Sequence, residues 1–397
     1  MASPKICLNM IVKNESKIIE RCIKSVYHLI DTWCIVDTGS TDGTQEIIKN
    51  LLKDKPGELL ERPWINFGHN RNEALELAER WGEWTLLTDA DMVLVDEGFD
   101  RRVLEYDVDA FDIIQDNHGV RYFNFRLLNA KKKWKCVGVT HEYYTTEAGN
   151  PSRARIDSLW FNDISDGGSK SDKFERDINL LTQGLIDEPS NHRYMFYLAQ
   201  SYRDTAQYDL AVEWYDKCAN CSTWDEEAWF AAYMAGWSMS CNPDYDLNEV
   251  SSRLLNAWMM RPWRAEPVFH LAMKYKEKQK WEQAYQLLKS CASMDYPEHD
   301  LLFISAAIYE GASIDEFSVA AYWSKKYAES IKACQRLIEK GYANGDPRIR
   351  RNLWFAEKAL GLYSQDNLRL YLGEKRKEVK MQFVNGKTST KPSLQEL

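Results

Sequence analysis

The sequence of 397 residues predicts an α/β domain followed by an all-α domain of stacked helices. In the first half, short apolar runs of strand length alternate with stretches whose apolar residues recur at helical spacing, a rhythm typical of a parallel sheet with crossover helices. From Lys173 onward the pattern is helical nearly throughout. We therefore predict domains at residues 1–168 and 169–384, followed by a polar, flexible tail at residues 385–397.

Composition narrows the classes of protein to which the chain can belong. The net charge of −9 argues against a nucleic-acid binder, which usually carries a basic surface. No apolar run reaches membrane-spanning length, and the short run at residues 6–12 lacks the features of a signal peptide. Nine cysteines, an odd number, indicate reduced thiols and a cytoplasmic location.

The first elements prepare a site at the ends of strands. Residues 6–12 form the first predicted strand, and a helical pattern covers residues 19–30. A second apolar run at residues 33–36 ends in Asp37, and the small residues at 38–44 allow a tight turn that caps the next helix. Backbone amides at such a helix start favour anions.

Two more acids follow a buried strand farther along the chain. After a weak third strand, Arg71 lies at a helix start, where a guanidinium would match the geometry of a diphosphate. The apolar run 84–87 then ends in Asp89 and Asp91. Ligands of open α/β sheets bind at the carboxyl ends of strands, so these acids and Asp37 would share one nucleotide site. A divalent cation bridging phosphates would neutralise them, although an isolated Asp-x-Asp pair is also common in solvated turns.

Beyond Asp91 the rhythm changes to strands without helices between them, which predicts a mixed or antiparallel completion of the sheet. The predicted strands cover residues 111–114, 120–128 and 134–140. They end at His141 and Glu142, which offer an imidazole for a metal or phosphate and a carboxylate for general-base catalysis. A His-Glu pair at the end of a strand is also often incidental.

Taken together, these motifs resemble the family 2 glycosyltransferases of the GT-A fold, and more narrowly the sublancin-type S-glycosyltransferase branch with its bacterial and viral relatives. The resemblance extends over roughly residues 5–215. It is carried by residues 12–15, 36–44, 67–72 and 89–91, by Arg126, Gly138, His141 and Glu142, by residues 166–168 with Lys173, Arg176 and Asp177, and by residues 196–202.

The resemblance implies a Rossmann-like GT-A domain that moves a hexose or N-acetylhexosamine from a UDP-sugar donor, with inversion, to a glycan, peptide or protein acceptor. The residues that it places on the nucleotide-sugar are Val12, Asn14, Glu15, Asp37, Gly39, Ser40, Asn70, Arg71, Asp89, Ala90 and Arg126. Asp91 and His141 would ligate Mn²⁺ or Mg²⁺, which stabilises the departing diphosphate as a Lewis acid. Glu142 would be the general base that activates the acceptor.

One residue departs from the family pattern. Relatives commonly have a histidine before the Asp-Gly or Asn-Gly pair, whereas this chain has Ser165. If that histidine is the usual third protein ligand, then either His141 replaces it here or the metal is held by Asp91, donor phosphates and water.

The second half fits the tetratricopeptide template twice. The matching positions are Leu198, Ala199, Tyr202, Ala211 and Tyr215, and then Leu271, Ala272, Tyr275, Ala284 and Leu288. Further helical patterns cover residues 229–260 with a break at 241–244, then residues 301–309, 319–340 and 348–363. Such units stack into a superhelix whose surface would grip an acceptor, form a homodimer or only buttress the catalytic domain.

Three functions remain open at this stage. The first is an active, metal-dependent inverting glycosyltransferase. The second is a tetratricopeptide scaffold whose nucleotide-binding half is degenerate. The third is a nucleotidyltransferase, which is disfavoured because residues 6–16 lack the glycine-rich loop of those enzymes.

Overall fold

The computed structural model describes residues 3–167, 173–344 and 346–362. Packing divides the chain into two compact units, Met1–Asn242 and Pro243–Leu397, which are described separately. The first unit combines the sheet with four helices that follow it, and the second is all-helical, so the predicted fold class is confirmed. The predicted border between residues 168 and 169 and the predicted tail at 385–397 lie outside the described residues.

The core of the first unit is an eight-stranded mixed sheet. In chain order the unit contains strands β1 (Ile6–Val12), β2 (Thr32–Asp37), β3 (Gly57–Glu61), β4 (Trp84–Leu87), β5 (Met92–Asp96), β6 (Ala110–Asn117), β7 (Val120–Asn129), β8 (Trp134–Val137), β9 (Tyr143–Thr146) and β10 (Arg153–Asp163). Eight of them are ordered β3-β2-β1-β4-β7-β6-β10-β5, whereas β8 and β9 pair with each other. Strands β1 to β4 are mutually parallel, and β7 joins β4 in the antiparallel sense.

Burial explains why the first strands form the centre of the sheet. Nearly every residue of β1 and all residues of β2 are buried, as expected for parallel strands covered on both faces. The helices α1 (Ile19–Val26), α2 (Thr44–Leu52) and α3 (Phe67–Ala78) are the crossovers between these strands. The register pairs Val12 with Asp37, so β1 and β2 end at the same edge of the sheet.

Several of the strands were not predicted by the sequence. The structure adds β5, β9 and β10, and it ends the predicted strand 134–140 at Val137. The chain turns there because Gly138 has a φ of +120°, a conformation that favours glycine. Strand β10 was missed because its alternation of exposed and buried residues is irregular, and its register against β6 shifts between Ile156 and Trp160.

Four helices complete the first unit. They are α4 (Lys173–Asp187), α5 (His192–Asp204), α6 (Tyr208–Cys221) and α7 (Asp225–Cys241). Their buried faces contain the residues that the tetratricopeptide template singled out, including Leu198, Ala199, Ala211 and Tyr215. Consecutive helices pack against each other, which is the arrangement expected of helical repeats.

The second unit consists of further helix pairs. They are α8 (Leu247–Met260), α9 (Glu266–Glu277), α10 (Trp281–Cys291), α11 (Ser313–Trp323), α12 (Tyr327–Glu339) and α13 (Pro347–Ala359), with a π-helical turn at Ile308–Ala312 ahead of α11. The same turn occurs three times in the chain, between α5 and α6, α9 and α10, and α11 and α12. In each turn one residue has a φ of 54–61°, namely Ala206, Gln279 and Lys325. The next amide bonds to the carbonyl five residues earlier.

Two helix predictions in this unit were wrong. The predicted helix 319–340 is two helices, because the turn at Lys325 separates α11 from α12. The predicted helix 301–309 is not helical over residues 301–305. No helix in the described part of the chain is both long and apolar enough to span a membrane.

Candidate active site

A cleft of about 780 Å³ lies where the parallel strands of the first unit end. Its walls include residues 11–15 after β1, Asp89 to Met92 after β4, and polar side chains from β6, β7 and β10. From the start of α4, Lys173 and Arg176 also line it. The cleft therefore lies at the edge that the sequence predicted, and its volume is in the range of small-ligand sites, about 300–1,000 Å³.

Asp89 is held between two arginines at the bottom of this cleft. The Arg71 Nη2 atom donates to Asp89 Oδ1 at 2.8 Å, and Arg126 Nη1 lies 3.3 Å from Asp89 Oδ2. Burial would raise the pKa of the Asp89 carboxyl, but the two guanidinium groups outweigh it and hold that pKa well below its usual range. Asp89 is therefore a carboxylate, and its charge is already balanced by the protein.

Glu142 is the second carboxylate on Arg71. The Arg71 Nε atom donates to Glu142 Oε1 at 2.7 Å, and the side chain of Glu142 is only 16% exposed. Among the described residues that line the cleft, Arg71 is present but Glu142 is not. In this structure the predicted base Glu142 is thus the ion-pair partner of Arg71, which it helps to orient.

The backbone of the loop after β8 explains how Glu142 reaches Arg71. The first amides of α3, from Phe67 and Gly68, donate to the carbonyls of Val139 and Gly138 at 3.1 and 3.0 Å. A Cβ atom on Gly68 would lie 2.4 Å from the Gly138 carbonyl oxygen, so only glycine permits this approach. The loop is thereby fixed against the helix start that carries Arg71.

Asp37 is fully buried at the end of β2. Its Oδ1 atom accepts hydrogen bonds from the amides of Gly39 and Ser40 at 2.9 and 2.8 Å and from Gln45 Nε2 at 3.1 Å. Its Oδ2 atom is buried and has no hydrogen-bond partner within the described structure. A buried carboxylate oxygen without a donor is costly, and a ligand donor at this position would remove that cost.

The loop after β1 is tied to the turn after β2. The amide of Asn14 donates to Ser40 Oγ, and Asn14 Oδ1 accepts from the amide of Thr41, both at 2.8 Å. The amide of Glu15 donates to Thr44 Oγ1 at 2.9 Å. Asn14 and Glu15 line the cleft, whereas Gly39 and Ser40 are not among its described lining residues.

Asp91 faces the cleft beside the backbone of Gly167. A Cβ atom built on Gly167 would lie 3.2 Å from Asp91 Oδ2 and 3.6 Å from Glu15 Oε1. The two carboxylates therefore converge on one small space that a side chain at residue 167 would fill. Over the described residues, no cluster of three or more His, Cys, Asp or Glu side chains is arranged to hold a metal ion.

His141 contacts residues of the helices α4 and α5. Its ring stacks on Tyr197 of α5 with centroids 4.0 Å apart, and its Nε2 atom lies 3.8 Å from Asp177 Oδ2. Burial lowers the pKa of His141 below its ordinary value, although the Asp177 carboxylate opposes this. Of the two predicted metal ligands, the described lining of the cleft includes only Asp91.

Of the remaining predicted residues, some line the cleft and one holds a neighbouring loop in place. Val12, Ala90 and Arg126 line the cleft. Asn70 is fully buried, accepts from the amide of Ile65 and donates to Pro63 O and Glu73 Oε2. It orders the loop before α3 and is not among the described lining residues.

Sequence reasoning missed a polar cluster at the end of β10. Asp163 accepts hydrogen bonds from Gln115, Asn117 and Ser165, each at 2.9 Å, and all four side chains line the cleft. Ser165, which stands where relatives commonly have a histidine, therefore serves as a donor to Asp163. An acid two residues before that position was the available signal, but β10 itself was not predicted.

Comparisons with known proteins find similarity to glycosyltransferases over the part of the chain that contains the sheet. Residues 7–163 match the model of glycosyl transferase family 2. The matched segment therefore ends at the last residue of β10. Over 240 residues the chain is 31% identical to the SPbeta prophage-derived glycosyltransferase SunS of Bacillus subtilis, and the match covers 55% of this chain and 54% of that protein. The chain thus spans about half the length of this curated relative.

Helical-repeat proteins are also found among the matches. A TPR repeat-containing protein of Synechococcus elongatus is 34% identical over 99 residues, covering 25% of this chain and 23% of that protein. The crystal structure of the C-terminal part of a TPR repeat-containing protein from Cytophaga hutchinsonii covers 51% of this chain and 72% of that one, with 12% identity and a TM-score of 0.40. Residues 7–163 are thus similar to the glycosyl transferase family 2 domain, and a series of packed helices follows them in the chain.

Proposed function

We propose that the protein is an inverting, metal-dependent glycosyltransferase that moves a hexose or N-acetylhexosamine from a UDP-sugar to a glycan, peptide or protein acceptor. One observation carries the proposal. Asp37 ends β2 and has a buried oxygen that lacks a donor among the described residues, while Asp91 follows β4 and faces a cleft of about 780 Å³; both strands pair with β1 and end at one edge of the sheet.

The nucleobase is assigned to the Asp37 side of the cleft. A uracil ring offers an N–H group that would satisfy Asp37 Oδ2, while the amides of Gly39 and Ser40 keep the other oxygen in place. Asp37 is not among the described residues that line the cleft and its Oδ2 atom is buried, so the base would have to displace the groups that cover this atom. The neighbouring Asn14 and Val12 would then contact the uridine from the β1 side.

The diphosphate is assigned to the Asp91 side. Asp91 and Glu15 converge beside Gly167, and hard divalent cations prefer carboxylate and phosphate oxygens, so these two side chains fit Mn²⁺ or Mg²⁺ held together with the donor phosphates. A bound cation of this kind would supply Lewis-acid stabilisation of the leaving group. We leave His141 out of the ligand set, because its ring is stacked on Tyr197.

Arg71 and Arg126 hold Asp89 as an anion on the floor of the cleft. This arrangement fixes the carboxylate before any ligand arrives, which is the kind of preorganisation that catalysis requires. Lys173 and Arg176 also line the cleft with cationic side chains, where a nucleoside diphosphate would gain further neutralisation.

Two carboxylates compete for the role of general base. Glu142 is the base that the family resemblance implies, and it acts in that role only if its ion pair with Arg71 opens. Asp163 lines the cleft directly and is the alternative. A true base supplies about 10²–10⁴-fold in rate, so Glu142→Gln and Asp163→Asn should differ by that factor in kcat for transfer to an acceptor.

The proposal is tested by donor turnover. The protein is incubated with a panel of nucleotide sugars in Mn²⁺, Mg²⁺ or chelator, and released nucleoside diphosphate is measured. We expect one UDP-sugar to be hydrolysed only with metal, and Asp91→Asn to abolish this. The matched control is Asp157→Asn on β10, whose side chain is exposed and does not line the cleft. If no nucleotide sugar binds or reacts with any metal, the tetratricopeptide scaffold replaces the enzyme as the function.

A further inference from the structure

The second unit has a pocket of its own, at one end of its helices. It measures about 590 Å³ and is lined by Met273, Lys276, Glu277, Gln279, Trp281 and Trp323. These residues come from the end of α9, the start of α10, the turn between them, and the last residue of α11. We call it the tryptophan pocket, and nothing in the proposed glycosyl transfer uses it.

Its central feature is a pair of stacked indoles. The rings of Trp281 and Trp323 have centroids 5.4 Å apart and an interplanar angle of 20°. Trp323 is 56% exposed, while the edge of Tyr322 contacts its ring at 5.6 Å. A tryptophan is usually well buried, so a half-exposed indole held in a stack at the edge of a pocket is a surface suited to a ligand.

The polar lining suits a ligand with many hydroxyl groups. The side chains of Glu277 and Gln279 are exposed at the pocket, and they supply a carboxylate, whose Oε2 atom also accepts from Lys274 Nζ at 3.2 Å, one carbonyl acceptor and an amide group with two N–H donors. Gln279 is held in the turn with a φ of 54°, so its backbone is fixed by local structure. Lys276 is paired with Glu316 and forms part of the wall.

Exposed lysines lie on the two turns beside the pocket, although they are not among its described lining residues. The two turns that frame the pocket present four exposed lysines, which are Lys278, Lys280, Lys325 and Lys326. The net charge of the chain is −9. A local positive field on an acidic protein selects an anionic ligand by charge complementarity.

We propose that the tryptophan pocket binds an acidic carbohydrate, with a pyranose ring on the exposed face of Trp323 and its anionic group toward the lysines of the two turns. A pyranose matches the pocket because one face carries C–H groups that pack on an indole while its rim carries hydroxyls for Glu277 and Gln279. An acidic peptide fits less well, because it has no rigid face of C–H groups to pack on the indole of Trp323. This binding goes beyond the proposed transfer reaction and does not depend on it.

The test is a titration of the full-length protein, by calorimetry and tryptophan fluorescence, at low salt. The probes are a trigalacturonate, the neutral trisaccharide maltotriose and a hexaglutamate peptide. We expect the trigalacturonate to bind at least tenfold more tightly than either of the others, and added salt to weaken it. If maltotriose binds equally well, or hexaglutamate binds more tightly, or the trigalacturonate does not bind, the proposal is overturned.

Variants locate the binding on the pocket. Trp323→Ala should weaken trigalacturonate binding at least tenfold, and the double variant Lys278→Gln, Lys325→Gln should weaken it severalfold and reduce its salt dependence. Trp224→Ala is the matched control, because Trp224 is an exposed tryptophan of the first unit, and it should leave binding unchanged. Both target sites are exposed, so thermal unfolding of each variant should match the parent. Unchanged binding in Trp323→Ala contradicts the assignment.

Discussion

The cleft of the first unit and the tryptophan pocket of the second differ in how their charged side chains are held. In the cleft, Asp89 is bound by Arg71 and Arg126, and Arg71 is bound again by Glu142, so these charges, on side chains that are 8–29% exposed, neutralise one another. At the tryptophan pocket, the lysines are exposed and confined to two turns. The charged side chains of the cleft are held in place by ion pairs with one another, whereas the lysines beside the tryptophan pocket lie on exposed turns.

Because of this difference, mutations in the two regions should affect stability and function differently. Removing one partner of a buried ion pair leaves an uncompensated charge and costs about 3–5 kcal/mol, whereas exposed pairs contribute about 0–1 kcal/mol. Changes in the cleft should therefore alter stability and function together. Changes at the tryptophan pocket should alter binding alone.

The largest effect is expected for Arg71→Met. The substitution leaves Asp89 and Glu142 without their shared cation, so the free energy of unfolding should fall by about 3–5 kcal/mol and donor turnover should be lost. Urea unfolding measures the first change and UDP release the second. The control is Arg102→Met, which breaks an exposed pair with Asp100 and should leave stability unchanged. A stable and active Arg71→Met protein would contradict the assigned role of the cleft network.

A more selective effect is expected for Asp37→Asn. Asparagine keeps the oxygen that accepts from Gly39 and Ser40 but puts an amide nitrogen where the ligand donor should bind. Loss of a hydrogen bond to a charged group is worth about 1.5–3 kcal/mol, so UDP affinity should drop about 10–150-fold. Calorimetric titration with UDP gives the answer. Unchanged affinity would move the nucleobase away from Asp37.

A smaller and more local effect is expected for Gly167→Ala. The new methyl group would lie 3.2 Å from Asp91 Oδ2, so the carboxylate has to shift by a few tenths of an ångström. The Mn²⁺ concentration for half-maximal UDP release should rise severalfold, while thermal unfolding stays close to that of the parent protein. An unchanged metal dependence would place the cation elsewhere in the cleft.

In the second unit, His270 on α9 should make the free energy of unfolding depend on pH. Burial lowers the pKa of His270 to about 4, with Glu266 opposing this shift and Lys274 adding to it. The unfolded chain, with a pKa near 6.5, binds a proton first as the pH falls, so stability present above about pH 6.5 is lost on the way down to about pH 4. The loss should reach up to about 3 kcal/mol.

Comparison of variants isolates that contribution. His270→Gln cannot take up the proton, so its unfolding free energy should vary less between pH 7 and pH 4 than that of the parent. His299→Gln serves as the control, because His299 is exposed and should leave the pH profile unchanged. Identical profiles for all three proteins would show that His270 titrates normally in the folded chain.

The sequence was sufficient for the elements whose character is local. The buried runs that became β1, β2 and β4, and the acids that follow β2 and β4, were predictable because continuous apolar stretches ending in polar residues are a short-range signal. The split between α11 and α12 was not predictable, because the turn at Lys325 contains neither glycine nor proline.

The site was less predictable wherever it depends on distant contacts. Glu142 looked like a free base in the sequence, and only the packing of the loop at Gly138 against α3 reveals its ion pair with Arg71, a residue 71 positions away. Asp163 was missed for a related reason, because its partners Gln115 and Asn117 lie on another strand.

The most direct test of the central claim is a crystal structure of the protein with UDP and Mn²⁺, with anomalous scattering used to locate the metal. The account predicts that the uracil N3 atom lies within hydrogen-bond distance of Asp37 Oδ2 and that the manganese peak lies against the Asp91 carboxylate. Uridine bound away from Asp37, or manganese bound without Asp91, would contradict it.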